Sequence, residues 1–176
     1  GSDRAAKLDP FDVEIAQVDL TDREALIETV RDVDAIVHMG VKLRGPNNWE
    51  HLDINIAPTL TLLEAVRTIN PGLKRFVYAS SDALYPHDSW MPSLITDDDK
   101  IQRPSDMYKV SKVAGESIVQ CYHQQYGIPT VSLNVPMTFC GAELLGIRTK
   151  EFSPAIDDQV EHLGSLEQTD RVKRTI

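Results

Sequence analysis

Tyr108 and Lys112 are the two residues whose types and spacing point most directly to chemistry. They are four positions apart in a stretch that predicts a helix, so their side chains share one helix face, about 6 Å apart at Cβ. At about 5 Å and an effective dielectric near 20, a lysine ammonium attracts a phenolate by about 3 kcal/mol. The pair could therefore act in proton transfer. The plainer interpretation is an exposed helix face with a lysine extended along it.

The predicted helix that carries this pair runs from Ser105 to Gly127. Ser105 is the expected N-cap, Asp106 suits the positive end of the helix dipole, and Gly127 marks the expected C-terminal stop. Apolar residues form a broad stripe at helical spacing: Val110, Val113, Ala114, Ile118, Val119 and Tyr122. Because this stripe covers more than one side, we expect the helix to need a second burial partner.

A second chemically suggestive point is the predicted strand from Lys74 to Ser81, which ends in two serines. Open α/β sheets place ligand contacts at the carboxyl ends of their strands, so a hydroxyl here could contact a substrate. Ser81 and its neighbour Ser80 are rival candidates. Two serines in this position could equally cap a turn.

Composition excludes several classes of function. The net charge of −9, with acids and bases interspersed, argues against nucleic acid or an anionic membrane surface as a partner. No apolar run approaches membrane-spanning length. The five histidines are scattered, which predicts no metal site, and no Gly-x-Ser-x-Gly elbow indicates a hydrolase. Cys121 and Cys140 have no metal or redox spacing, so we expect reduced thiols in a cytoplasmic protein.

The remaining pattern alternates strands with helices. Short strands are predicted over residues 13–18, 35–39 and 129–135, and a helix follows a capping box formed by Thr21 and Glu24. A long helix is predicted from Trp49 to Ile69, and Pro58 should kink or restart it. This order predicts an α/β fold built on a doubly wound, Rossmann-like parallel sheet.

Several motifs in the right order resemble the extended short-chain dehydrogenase/reductase family, which contains nucleotide-sugar epimerases and dehydratases. The Tyr-x-x-Ser-Lys helix with Glu116, the segment Phe76 to Tyr85, and the helix from Asn55 to Ala65 each resemble a family motif. The resemblance extends from Asp19 to Gly141.

The resemblance implies roles for individual residues. Ser81, Tyr108 and Lys112 would be catalytic, with Tyr108 exchanging a proton with the substrate. NAD or NADP would be the cofactor. The implied cofactor contacts are Asp19, Leu20, Met39, Gly40, Val41, Asn55, Ala79, Tyr108, Lys112, Pro136 and Met137. Asn55 would help to hold the catalytic lysine. The resemblance implies no role for His38, which we interpret as a core histidine.

The expected activity is NAD(P)-dependent oxidation, reduction or epimerisation at a hydroxyl or ketone of a sugar or nucleotide sugar, in a homodimer. A non-catalytic dinucleotide-binding or scaffolding member and a reductase of a non-sugar ketone remain alternatives. The chain departs from the family pattern at Pro58, Val135 and Cys140, where glycine, arginine and tyrosine are usual. The last two departures weaken the implied cofactor contact of the turn that contains Pro136.

The glycine-rich loop that binds the dinucleotide phosphates in such folds does not occur in the sequence. We therefore expect residues 1–141 to be a partial dinucleotide-binding domain that lacks the first βαβ unit. Residues 142–176 are expected to be the start of a small substrate domain or a tail. In the usual strand order the segment from Val13 would be strand three, and without strands one and two it would have no neighbour.

Overall fold

The computed structural model describes residues 13–45, 47–85 and 104–136. All of them belong to the unit that ends at Pro136. Met137, Cys140 and the segment 142–176 lie outside the described residues, so the predictions about them stay predictions. No helix within the described ranges is both long enough and apolar enough to cross a membrane.

The described sheet has three parallel strands in the order β1, β2, β3. Their bounds are Ala35–His38 for β1, Arg75–Ala79 for β2 and Thr130–Leu133 for β3. Ala35 is paired with Arg75, and Phe76 with Thr130. Because the strands are parallel, all three end at one edge of the sheet, where α/β folds place their ligands.

The helices are α1 (Arg23–Glu28), α2 (Ala57–Ile69) and α3 (Met107–Tyr126). A π-helical turn, His51–Ile56, precedes α2, and Pro58 occupies the first turn of α2. The predicted restart at Pro58 is confirmed. Proline has no amide hydrogen to donate, and the first turn is where a helix does not need one.

The N-caps of two helices differ from prediction. Asp106, and not Ser105, caps α3, because its carboxylate accepts a hydrogen bond from the amide of Lys109. Asp22 likewise caps α1 through the amide of Ala25, so the capping box predicted at Thr21 is wrong. In both cases a carboxylate one residue further along takes the cap position. The predicted stop at Gly127 is confirmed, since this residue adopts the left-handed conformation with φ of 71°.

The strand predicted over residues 13–18 is wrong: these residues have no regular secondary structure and pair with no strand in the described sheet. A strand needs a hydrogen-bonding neighbour, and the sheet provides none for this segment. The observation matches the expectation that this segment would lack a neighbour.

The core fills one face of the sheet. Phe76 and Tyr78 of β2 are buried against all three helices, whose buried side chains include Leu26, Leu63 and Val119. On the opposite face, apolar strand residues are largely exposed: Val37, Val131 and Leu133. Within the described residues, α3 therefore lies on the covered face, with its first turns near the carboxyl ends of the strands.

Candidate active site

Lys112 is buried between α3 and the end of β2. Its Nζ donates a hydrogen bond of 2.6 Å to the main-chain oxygen of Ala79. It also lies 5.1 Å from the ring centre of Tyr78 and 5.9 Å from that of Tyr108. Burial lowers the pKa of Lys112 from 10.5 to about 8, and the carboxylate of Glu116 partly opposes this shift. The ammonium form still predominates at neutral pH.

Tyr108 lies one turn before Lys112 and is half-buried. The structure thus brings the two predicted residues together on one helix face, as their spacing indicated. The ammonium lies nearer to Tyr78, however, than to Tyr108. The sequence prediction did not include that second ring.

Ser81 is the second residue after β2 and caps a short 3₁₀ turn, Asp82–Leu84. Its hydroxyl accepts a hydrogen bond from the amide of Ala83 at 3.1 Å and donates to the carboxylate of Asp82 at 3.3 Å. In the described part of the chain, no direct hydrogen bond joins Ser81 to Tyr108. The neighbouring Ser80 is also buried, and its Oγ has no hydrogen-bond partner among the described residues.

Tyr78 and Gly115 are two residues of this region that the sequence prediction missed. A Cβ atom added at Gly115 would lie 2.1 Å from the hydroxyl oxygen of Tyr78 and 2.4 Å from the ring carbon that carries it. Glycine at this position therefore lets α3 pack directly over the ring. Burial raises the pKa of Tyr78, and the neighbouring carboxylate of Glu116 adds to the effect. Tyr78 is thus an uncharged ring packed beside Lys112. The glycine within the predicted helix, seven residues after Tyr108, was the sequence feature that could have indicated this close packing.

Leu20 and Gly40, two predicted cofactor contacts, meet at the end of β1. A Cβ atom at Gly40 would lie 2.6 Å from the Cδ1 atom of Leu20, so the glycine here accommodates that side chain. Asp19 is exposed, and hydrogen bonds from the amide and the hydroxyl of Thr21 lower the pKa of its carboxylate. Met39 is also exposed. These residues are therefore mostly exposed to solvent beside the end of β1.

Asn55 is buried in the π-helical turn. It contacts Ser111 and the backbone of Lys42, and within the described residues it makes no hydrogen bond to Lys112. Ala79, another predicted cofactor contact, instead accepts the hydrogen bond of Lys112. Pro136 lies beyond β3 and is exposed. Their contacts with a cofactor stay predictions.

This arrangement offers a phenol, an ammonium and a serine hydroxyl near the carboxyl edge of a parallel sheet. Such groups exchange protons and stabilise a developing negative charge on oxygen. The described residues contain no group of histidine, cysteine and carboxylate side chains suited to bind a metal ion. The fold and these residues define a Rossmann-like protein of the short-chain dehydrogenase type.

Comparison with known proteins identifies the family. Residues 1–155 match the model of the NAD dependent epimerase/dehydratase family, and the chain belongs to this family. An uncharacterized epimerase/dehydratase of Staphylococcus aureus is 33% identical over 132 residues, which cover 72% of this chain and 38% of that protein. The chain therefore spans well under half the length of the curated relatives it matches.

Two solved structures have the same fold. Uronate dehydrogenase from Agrobacterium tumefaciens, in a variant complexed with NAD, is 30% identical with a TM-score of 0.53. The match covers 66% of this chain and 43% of that one. UDP-glucuronic acid 4-epimerase from Bacillus cereus, in complex with NAD, has a TM-score of 0.63 at 23% identity. It covers 76% of this chain and 43% of that one, and at this identity it shows the fold alone.

The residues present suit part of a nicotinamide dinucleotide. Lys112 is a hydrogen-bond donor with two N–H groups beyond the one bound to Ala79, and it lies beside Tyr108 at the edge where such folds bind cofactors. Asp19 presents an exposed carboxylate of the kind that can accept hydrogen bonds from hydroxyl groups.

Proposed function

We propose that the protein catalyses NAD(P)-dependent hydride transfer at a hydroxyl or ketone carbon of a sugar or nucleotide sugar. One observation carries the proposal: the ammonium of Lys112 is held by the carbonyl of Ala79, two residues before Ser81, and lies one helical turn from Tyr108. Family membership supports the same reaction class.

In this mechanism Tyr108 takes the proton of the substrate hydroxyl as the carbonyl forms. Ser81 donates a hydrogen bond to that oxygen, and to do so its hydroxyl turns away from Asp82, where the present bond is long at 3.3 Å. Lys112 stabilises the phenolate of Tyr108 by its charge. A bound nicotinamide supplies the acceptor for the hydride that leaves the same carbon. The reverse sequence reduces a ketone, with Tyr108 returning the proton.

The residues proposed to hold the dinucleotide fall into two groups. Asp19, Leu20, Met39, Gly40 and Val41 would contact the adenosine and phosphate part. The nicotinamide and its ribose would be held by Asn55, Ala79, Tyr108, Lys112, Pro136 and Met137.

The proposed substrate class is supported by the family and by the name of a similar protein. The uronate dehydrogenase above, which is 30% identical, is named for a uronate. A uronic acid, free or attached to a nucleotide, is therefore the first class of substrate to test.

The test is a nicotinamide-reduction assay of the full-length protein with NAD and with NADP. The panel contains nucleotide sugars, free uronic acids and, in the reducing direction, simple non-sugar ketones. Turnover of a sugar or nucleotide sugar supports the proposal. Turnover of non-sugar ketones alone would favour the reductase alternative. Dinucleotide binding without any turnover would favour the non-catalytic alternative.

We also propose a homodimer built on α2 and α3. Part of the apolar surface of α3 is already used within the chain, since Val119 and Tyr122 are buried in the core. Leu52 and Leu60, in the turn before α2 and on α2, remain 40% and 43% exposed and could be covered by a second copy. A monomeric mass by light scattering would contradict the dimer. A cytoplasmic location, consistent with the free thiol of Cys121, is proposed with it.

A further inference from the structure

The carboxamide of Asn55 joins three separate parts of the chain. Its Oδ1 accepts a hydrogen bond of 2.7 Å from the amide of Lys42, and its Nδ2 donates to the carbonyl of Lys42 at 3.0 Å. The same Nδ2 donates to the hydroxyl of Ser111 at 2.9 Å. Asn55 is only 2% exposed. A buried amide paired with both backbone groups of one residue holds that residue as an adjacent strand would.

Lys42 ends the segment Met39–Lys42, which we call the β1 turn. This segment contains Met39, Gly40 and Val41, the residues proposed to contact the dinucleotide. Asn55 thus fixes the end of the β1 turn to the π-helical turn that precedes α2.

Ser111 connects the same amide to the catalytic helix. It is fully buried, and its hydroxyl donates to the main-chain oxygen of Tyr108 at 2.7 Å while accepting from Asn55. Ser111 lies between the two proposed catalytic residues, Tyr108 and Lys112. The Asn55 amide is therefore linked through Ser111 to the first turn of α3.

A second buried pair fixes the backbone of Asn55. The hydroxyl of Thr59 donates to the main-chain oxygen of Asn55 at 2.9 Å and lies 3.1 Å from Nε2 of His38. A hydroxyl has one proton, so with that proton on Asn55 it must accept from His38. His38 is therefore the tautomer protonated at Nε2. The last residue of β1 is in this way connected to the same network.

We propose that Ser111 is a positioning residue that, through the amide of Asn55, couples the β1 turn to Tyr108 and Lys112. Dinucleotide bound at the β1 turn would then order the first turns of the catalytic helix. This inference rests on the proposed function for its kinetic consequences, but the coupling itself can be measured without turnover.

The experiment compares Ser111→Ala with Ser117→Ala in the full-length protein. Ser117 is the matched control, since it lies on the same helix and its hydroxyl also bonds a preceding backbone carbonyl, that of Val113, but it is exposed. The first readout is hydrogen–deuterium exchange of the amides of Met107–Lys112 with and without NAD. We expect NAD to slow this exchange in the wild type and in Ser117→Ala, and not in Ser111→Ala.

The second readout is steady-state kinetics together with the dissociation constant of the dinucleotide. We expect Ser111→Ala to leave that constant within about threefold and to lower kcat by about 10- to 100-fold, the scale expected for a small misplacement of catalytic groups. In a double-mutant cycle on kcat, Asn55→Ala and Ser111→Ala should be strongly non-additive.

Three outcomes overturn the inference. These are equal protection of Met107–Lys112 by NAD in all variants, additive effects of the two substitutions, and a failure of the wild type to bind dinucleotide. Protection by NAD in the wild type without turnover of any substrate would instead refute the proposed function and leave the coupling in place.

Discussion

Lys112 Nζ and the main-chain oxygen of Ala79 form a 2.6 Å hydrogen bond that connects α3 to the end of β2. The contact explains how a buried ammonium is retained in the core, because the carbonyl dipole replaces part of its lost hydration. It also means that one residue serves both the proposed chemistry and the packing of the catalytic helix.

The buried ammonium predicts a specific dependence of stability on pH. The pKa of Lys112 is about 8 in the folded state and 10.5 ordinarily, so the folded state disfavours the proton. The stability that the neutral Lys112 side chain allows is therefore fully present above pH 10.5. It is lost as the pH falls towards 8, because the unfolded chain binds a proton there and the folded protein does not. Relative to Lys112→Met, the wild type should gain up to about 3 kcal/mol of unfolding free energy as the pH rises through this window.

Urea unfolding across that pH window measures the difference. Lys74→Met is the control, since the side chain of Lys74 is 74% exposed. A pH-independent difference between wild type and Lys112→Met would contradict the assignment.

Tyr108→Phe tests the proton-transfer group. Removal of the hydroxyl should lower turnover by at least about a hundredfold, the scale of general acid–base catalysis, with little change in the dinucleotide dissociation constant. Tyr126→Phe on the same helix is the control, because that ring is 44% exposed and packs under Arg67. Near-normal turnover of Tyr108→Phe would refute its role.

Elimination of water from a nucleotide sugar is not expected. In the family that the sequence resembles, sugar dehydratases carry an Asp-Glu pair after the catalytic Ser or Thr, and this chain has Asp82 followed by Ala83. The methyl group of Ala83 cannot transfer a proton. Product analysis by mass spectrometry should therefore find oxidised or epimerised sugars, and a 4-keto-6-deoxy product from any nucleotide sugar would contradict this prediction.

Gly115→Ala should destabilise the protein although alanine favours helices by about 1 kcal/mol over glycine. The added Cβ would overlap the ring of Tyr78, and overpacking of this kind typically costs about 1–3 kcal/mol. We expect a lower Tm and reduced turnover, because α3 must shift away from β2. Gly72→Ala makes the same change in open space and should leave both nearly unchanged. A Tm of Gly115→Ala at or above that of the wild type would show that the packing is looser than described.

His38 should weaken the protein in mild acid. Burial and the charge of Lys112 lower the pKa of His38 from 6.5 to about 4. Between these pH values the unfolded chain therefore binds a proton at His38 that the folded protein does not bind. Stability is fully present above pH 6.5 and declines as the pH falls towards 4, by up to about 3 kcal/mol.

His38→Gln keeps a donor for Thr59 and should remove this part of the decline. His123→Gln, which removes an exposed histidine, is the control. Chemical unfolding between about pH 4 and 7 provides the comparison. If the unfolding free energy of His38→Gln falls with decreasing pH as much as that of the wild type, the prediction is contradicted.

Patterns within single segments were sufficient to predict most elements of the fold. The alternation of strands and helices, the restart at Pro58 and the stop at Gly127 follow from local preferences of the backbone, which neighbouring residues largely determine. The four-residue spacing of Tyr108 and Lys112 likewise placed both side chains on one face. The N-caps were missed by one residue because Ser105 and Asp106, or Thr21 and Asp22, are both good caps. The choice between them depends on which side chain reaches the free amide.

Tertiary structure decided what no single segment specifies. The strand pattern at Val13 could not become a strand without a neighbour, because its hydrogen bonds would come from elsewhere in the chain. The ammonium of Lys112 forms a hydrogen bond with the carbonyl of Ala79, 33 residues away in the sequence. Asn55 forms one with Ser111, 56 residues away. Such contacts depend on how helices pack on the sheet. The sequence by itself therefore determined which residues could do chemistry, and only the packed structure determined which of them meet.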